Sequence, residues 1–294
     1  RILEGIDRCG IQPFLRSVAL DPPWMQELSN WTTCIVGGLG ICGMGLGPDH
    51  VQSERLVERA ETVMRSYLQL YGDDGEFNEN PSYANASMAP TLFYSALRCY
   101  RSDDSSRPEL DILHRHCYWC IYASAPPGHV VAFGDGGPDH PALTSFFPAL
   151  AAATRDPILQ WYYLGYGRRP RFPVWELVWF DGRVQAEAPT PDSLPLGRAY
   201  QAHAALASSR TSWDLESTDC VVFGKGGHGG VIHSHPDAGQ VEIHGRGRRL
   251  IVDLGKVNYP PVDDRRPYYH FGSDGHNVVT IGGRDLYWER SGDR

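Results

Sequence analysis

The densest polar cluster in the chain is His233-Ser234-His235-Pro236-Asp237-Ala238-Gly239. Side chains two apart on a strand share a face, so a strand here would present His233 and His235 together. Downstream, Asp253 closes the apolar run Leu250-Ile251-Val252, and His276-Asn277 opens another β-type run. Two imidazoles and a carboxylate from neighbouring strands can hold Zn²⁺ with a fourth ligand. The same residues also serve as histidines satisfied by backbone hydrogen bonds, and spacing alone leaves both readings open. A cupin likewise uses His-x-His, but its Glu follows more closely than Glu242 follows His235, and no second cupin motif is present.

The N-terminal half carries two shorter motifs. Asn30-Trp31 leads into Gly37-Gly38-Leu39-Gly40, and Asp74-Gly75-Glu76-Phe77-Asn78-Glu79 is followed by Pro81-Ser82-Tyr83. Alone, Asp74-Gly75 reads as a turn and Tyr83 as an ordinary aromatic. Glu79 with Asp74 could be half of a glycosidase carboxylate pair, but nothing marks a second catalytic carboxylate. Asn30-Trp31-Thr32 and Asn85-Ala86-Ser87 are glycosylation triplets of a kind that arises often by chance. Arg265-Arg266 could grip anionic groups bidentately, or form a solvated turn. Cys117 and Cys120 make one CxxC on a helix, read as two thiols one turn apart because no second CxxC or βαβ pattern accompanies them.

The elements that must position these residues fall into two textures. Leu56, Val57, Ala60, Val63, Met64, Tyr67 and Leu68 recur at helical spacing and predict a helix over 51–71. Further helices are expected at about 87–101, 108–124, 142–153 and 154–166, paired by short connections as in a bundle or an α/α toroid. Segment 183–197, with three prolines, reads as a linker. Beyond it come short β-type runs at 220–223, 240–243, 250–252 and 277–281, with Gly-rich turns, as in a sandwich or barrel. The boundary falls near residue 190.

With 294 residues, 41% of them hydrophobic, the chain can fill two cores and is not a disordered one. Residues 1–150 carry a net charge of −8 and residues 151–294 a net of zero, without the basic excess of a nucleic-acid binder. No apolar stretch is long enough to span a membrane. Seven cysteines leave at least one unpaired. The chain starts without Met inside folded-looking sequence and reads as an internal fragment of a longer protein, so localisation is not legible from a leader.

In order, Asn30-Trp31, Asp74-Gly-x-x-x-Glu79-x-x-x-Tyr83, Phe133-Gly134-Asp135, His233-x-His235-x-Asp237-x-Gly239, Val252-Asp253-x-Gly255, Tyr259 and His276-Asn277 resemble the heparinase II/III-like polysaccharide lyases. The resemblance covers roughly residues 20–285. It implies a multidomain α-plus-β fold: an (α/α) toroid, here its C-terminal part over 1–185, followed by an antiparallel β-sandwich beginning in 186–294, with the active site between them. It implies β-elimination at a uronic acid of an anionic polysaccharide. Asn30 matches the residue that hydrogen-bonds the uronate carboxylate, Tyr83 the proton donor or base, and His233 the catalytic histidine. Trp31, Glu79 and Tyr259 fall on the substrate side. His235, Asp253 and His276 match a structural zinc site. Some members place a His directly after the Asn; Trp31 stands there, which shifts proton transfer to Tyr83 and His233. The resemblance also implies a periplasmic or secreted protein and leaves the polymer (heparan sulfate, chondroitin, alginate, ulvan) and the oligomeric state open. Rival readings are an (α/α)-toroid glycoside hydrolase using Glu79 and a non-catalytic carbohydrate-binding protein of the same fold.

The chemistry suits these residue types. The uronate C5 proton is weakly acidic until its carboxylate is neutralised, which an amide can do as an oxyanion hole does. A base then takes that proton and an acid protonates the leaving oxygen, tasks open to Tyr and His.

Overall fold

The computed structural model describes residues 1–19, 28–137, 139–167, 173–216, 220–227, 233–256, 269–282 and 284. Two compact units divide the chain: Arg1–Leu70 with Ala86–Asp111, and Tyr71–Asn85 with Ile112–Arg294.

The first unit is helical. Helix Ser53–Leu68 buries Leu56, Val57, Ala60, Val63, Met64, Tyr67 and Leu68, the stripe its periodicity predicts. It packs against Asn30–Leu46, whose facing residues are Gly37, Gly40 and Gly43. Gly40 is required there: a Cβ would stand 2.3 Å from that of Ala60 and 2.7 Å from the Phe93 ring. Phe93 comes from a further helix, Met88–Arg101. Close backbone approach thus replaces large side chains on one partner, with Leu and Val supplying the buried area.

The second unit joins helices to a sheet. Helix Arg107–Tyr122 passes into it at Ile112 and is followed by the short hairpin β1 (Ser124–Ala125) and β2 (His129–Val130). Helices Phe147–Thr154 and Pro157–Tyr166 form the next pair. Asp156 caps the latter, its carboxylate accepting from the Ile158 and Leu159 amides with Pro157 at the first helical position. The helices expected near 142–153 and 154–166 are these two.

Among the described residues, five antiparallel strands follow in the order β3 (Gly197–Ala199), β4 (Leu206–Arg210), β5 (Cys220–Lys225), β6 (Val241–Gly245) and β7 (Arg248–Ile251). The helical pairs followed by this sheet are the α-plus-β class that the motifs imply. The buried face of the sheet is unusually polar: Ser208, Arg210, Lys225, Glu242 and His244 point inward beside Leu206, Val221 and Phe223. Such groups are costly to bury unless bonded. Arg210 meets that cost by donating to the carbonyls of Ile121, Tyr122 and Ser124 at 3.4, 3.2 and 3.0 Å.

Three local expectations are corrected. The run 277–281 forms no strand among the described residues; Gly282, at φ 63°, turns the chain and leaves only a single bridge between Ile281 and Arg284. His233 and His235 lie in a loop rather than on a strand, with His233 at φ 61°. The apolar run 250–252, read as a strand ending in Asp253, is strand only to Ile251; among the described residues β7 is an edge strand, and Leu250 is 65% exposed.

Candidate active site

All the contacts below lie within the second unit. The Asp74-Gly75 turn opens the first segment. Gly75 sits against helix Arg107–Tyr122, where its carbonyl faces His116 Nδ1 at 2.8 Å. His116 is fully buried, and its pKa is pushed down to about 4 by that burial, so it donates from Nδ1 as a neutral ring. The turn therefore anchors the segment that follows. Phe77, Glu79 and Asn80 are buried. The Asn80 side-chain oxygen accepts from the amides of Ser82 and Tyr83 at 2.9 and 3.3 Å. This local capping starts the 3₁₀ turn Tyr83–Ser87 and sets the direction of Tyr83.

The Tyr83 ring stacks on the His233 imidazole, with centroids 3.8 Å apart and planes at 18°. His233 Nδ1 lies 2.7 Å from Asp135 Oδ2, and His235 Nε2 lies 3.0 Å from Asp135 Oδ1. The Asp135 amide donates to the His233 carbonyl at 2.9 Å. Gly134 makes this approach possible: it has φ 54°, and a Cβ would stand 2.4 Å from the His233 carbonyl oxygen.

Glu79, Asn78, Asn80, Phe133, Lys225 and His233 line a small cavity beside this pair. Burial pushes the Glu79 carboxyl up to about 7; a positive charge on His233 would oppose the shift and the Asp135 charge adds to it. Lys225 is taken up by Asp237 at 2.6 Å, both buried, and the second Asp237 oxygen accepts the Gly134 amide at 2.8 Å. Glu242 accepts the Ala132 amide at 2.8 Å. Burial, with the charge of Asp253, raises its carboxyl to about 9, so it is neutral at pH 7. Asp74 turns away from Glu79 and pairs with Arg198 at 3.0 Å.

The residues read as zinc ligands are brought together as pairs. Asp253 Oδ2 stands 3.0 Å from His276 Nδ1, which also faces Gln240 Oε1 at 3.0 Å. The His235 and His276 rings are 5.2 Å apart, and His235 Nδ1 and His276 Nε2 are both buried without a hydrogen-bond partner. Those two orphaned nitrogens fit a zinc ion, since each ring's other nitrogen is tied to a carboxylate, as metal-ligating histidines usually are. Asp253, lying on Nδ1, orients His276 in this arrangement. Among the described residues no three His, Cys, Asp or Glu converge as a ready cluster.

Asn30 and Trp31 begin helix Asn30–Leu46 in the first unit, Asn30 half-buried and Trp31 68% exposed. Tyr259, Arg265 and Arg266 lie outside the described residues. Cys117 and Cys120 are buried free thiols whose pKa values burial drives up, which leaves them inert. Sequence reasoning gave no role to Asp135, Lys225 or Glu242. The Phe133-Gly134-Asp135 motif was the signal for the first; nothing in the spacing marks the other two.

Residues 217–294 match the family model described as heparinase II/III-like, C-terminal. No curated protein matches the chain significantly. Solved structures share its fold. Heparan sulfate lyase HepC from Pedobacter heparinus aligns over 79% of this chain and 33% of its own, at 18% identity and TM-score 0.55. A heparinase III aligns over 87% of this chain and 40% of its own, at 16% identity and TM-score 0.61. A further heparinase III gives 86% and 37%, at 16% identity and TM-score 0.62. The chain thus spans between a third and two fifths of the length of these structures. The likeness to the heparinase II/III-like proteins that the motifs carry is met by a family match in the sheet half and by a common fold over most of the chain.

Proposed function

We propose that the protein is a polysaccharide lyase that cleaves a uronic-acid-containing anionic polymer by β-elimination. The observation that carries this reading is the Tyr83–His233 stack at 3.8 Å. It puts a phenol and an imidazole on one patch, the pair that proton removal at C5 and proton delivery to the leaving oxygen require. Asn30 is assigned to the uronate carboxylate by its motif. Neutralising that carboxylate favours the developing enolate charge. Glu79, close to half neutral at pH 7, adds little repulsion toward an anionic sugar. The cavity of about 1090 Å³ that Asn85 lines with Trp161, Tyr166 and Trp213 has none of Tyr83, Glu79 and His233 in its walls, so in this reading it is a saccharide subsite apart from the reacting pair, its aromatic walls suited to apolar ring faces. Trp31 and Tyr259 are further substrate contacts in this reading.

The reading includes a zinc ion that His235 and His276 would hold, with Asp253 on His276 Nδ1 orienting that ring. It would supply cross-linking of the loop 233–240 to the segments around 253 and 276. Elimination needs no activated water, so proton transfer rests with Tyr83 and His233. The protein is placed in the periplasm or outside the cell, where such polymers are met. No helix among the described residues is long and apolar enough to cross a membrane.

The test is incubation of the purified protein with a panel of heparan sulfate, chondroitin, alginate and ulvan. A lyase produces near-ultraviolet absorbance from the new conjugated double bond together with new ends. New reducing ends without absorbance would replace this reading by hydrolysis through Glu79, whose raised pKa is that of a general acid. Retention of a polymer with neither signal would make the protein a binder.

A further inference from the structure

We propose that Asp135 is the positioning residue of this site, one carboxylate that fixes His233 and His235 in opposite tautomers. Its consequence for turnover rests on the elimination reading; its consequence for the two imidazoles does not. Asp135 is 8% exposed and reaches His233 Nδ1 with one oxygen and His235 Nε2 with the other, at 2.7 and 3.0 Å. A carboxylate only accepts, so the nitrogen facing it must carry the hydrogen. As a neutral ring, His233 is therefore the Nδ1–H form, with Nε2 as its accepting nitrogen. His235 is the Nε2–H form, with its lone pair on Nδ1. That Nδ1 is the buried nitrogen without a hydrogen-bond partner, as this tautomer requires of a ring whose lone pair awaits a ligand.

The backbone makes the arrangement a clamp. The Asp135 amide donates to the His233 carbonyl at 2.9 Å while its side chain holds the imidazole of the same residue. His233 has a left-handed backbone, a conformation that a residue with a Cβ keeps only when its surroundings over-determine it. Held at both ends, the imidazole stays parallel to the Tyr83 ring. Asp237 fixes the Gly134 amide next door at 2.8 Å, so the carboxylate itself is placed from below. A base whose ring is set before substrate arrives pays no reorganisation at the moment of proton transfer.

The discriminating variant is Asp135→Asn. An amide has the same shape, but one of its two groups donates, so one histidine loses its acceptor and must change tautomer or turn. Nitrogen-15 NMR of the wild-type protein at about pH 8, where free imidazoles are neutral, should show His233 as Nδ1–H and His235 as Nε2–H. The resonances are assigned by their loss in His233→Ala and His235→Ala. In Asp135→Asn at least one of these patterns should disappear, and kcat should fall about 10²-fold with KM within about twofold. Wild-type His233 in the Nε2–H form overturns the proposal without any variant and whatever the activity. So does an Asp135→Asn protein that keeps both tautomers or the full kcat. A wild-type protein with the stated tautomers but no unsaturated product sinks the elimination reading and leaves the positioning role standing. A variant that fails to fold leaves the wild-type tautomers to decide.

Discussion

Replacing Glu79 by Gln should stabilise the protein, and by an amount that grows with pH. Glu79 is 5% exposed. Its carboxyl rises from an ordinary value of 4.5 to about 7, mainly because burial disfavours the charged form. Between these two values the folded protein holds a proton that the unfolded chain has released. Stability therefore falls as pH rises from about 4.5 to about 7, and the loss is complete above the folded value. The size of the loss is roughly 3 kcal/mol, at about 1.4 kcal/mol for each pH unit between the two values. Gln has the same shape and no charge to ionise. Urea unfolding of both proteins at intervals from about pH 4 to about pH 8 isolates the effect, because Glu242 and the other carboxyls are common to both. The Gln variant should gain on the wild type by roughly 3 kcal/mol across that range. A difference that stays flat, or one that turns against the variant as pH rises, would mean that the fold stabilises a charged Glu79. The account of the cavity beside His233 would then be wrong.

Tyr83→Phe and His233→Ala should each lower lyase turnover by about 10²–10⁴-fold with circular dichroism unchanged; full activity in either variant removes that residue from the chemistry. Lys225→Met strands the buried Asp237 charge and should cost about 3–5 kcal/mol in urea unfolding, with part of the loss recovered when Asp237→Asn is added. Gly134→Ala forces a Cβ against the His233 carbonyl at a positive φ and should cost at least about 1–3 kcal/mol and reduce turnover; a variant of wild-type stability would show that the turn is not tight. Chelator and His235→Ala should each lower the melting temperature, and metal analysis should find close to one zinc per chain; less than about a tenth of an equivalent, with melting unmoved by chelator, removes the metal.

Helices were the legible part of this fold because their apolar residues recur at helical spacing and their connections are short. Leu56 through Leu68 on helix Ser53–Leu68 is such a case. Strands β3 and β4 were missed for the opposite reason. Leu206-Ala-Ser-Ser-Arg210 alternates in burial, but its inward residues include Ser208 and Arg210. A polar residue at a buried position hides the alternation on which strand reading depends. Among the candidate residues, Tyr83 and His233 were named from a motif, and the structure brings their rings together. The strand that was to present His233 and His235 does not exist. Its function is met by a carboxylate a hundred residues away in sequence, a long-range pairing that no local pattern encodes. Lys225 and Asp237 were invisible as a pair because nothing in their spacing indicates that a buried ammonium needs a buried anion.

The segment 132–136 shows how the site is held. The Ala132 amide is taken by Glu242, the Gly134 amide by Asp237, and the Asp135 amide by the His233 carbonyl, while the Gly136 carbonyl accepts the Lys256 amide at 3.0 Å. A strand pairing at this place would satisfy the same backbone groups, but it would also impose alternation and set residue 135 by register alone. Carboxylates reaching in from β6 and from the loop before it do the bonding from a distance. The turn at Gly134 can then stay tight, and the Asp135 side chain can face both histidines. The buried acids this requires are tolerable because each is compensated differently. Asp237 has Lys225, Glu242 is neutral at pH 7, and Asp135 has two imidazole N–H donors. A second carboxylate left charged and unpaired in this core would cost several kcal/mol. The polar inner face of the sheet is therefore the structural condition for placing one charged carboxylate beside His233.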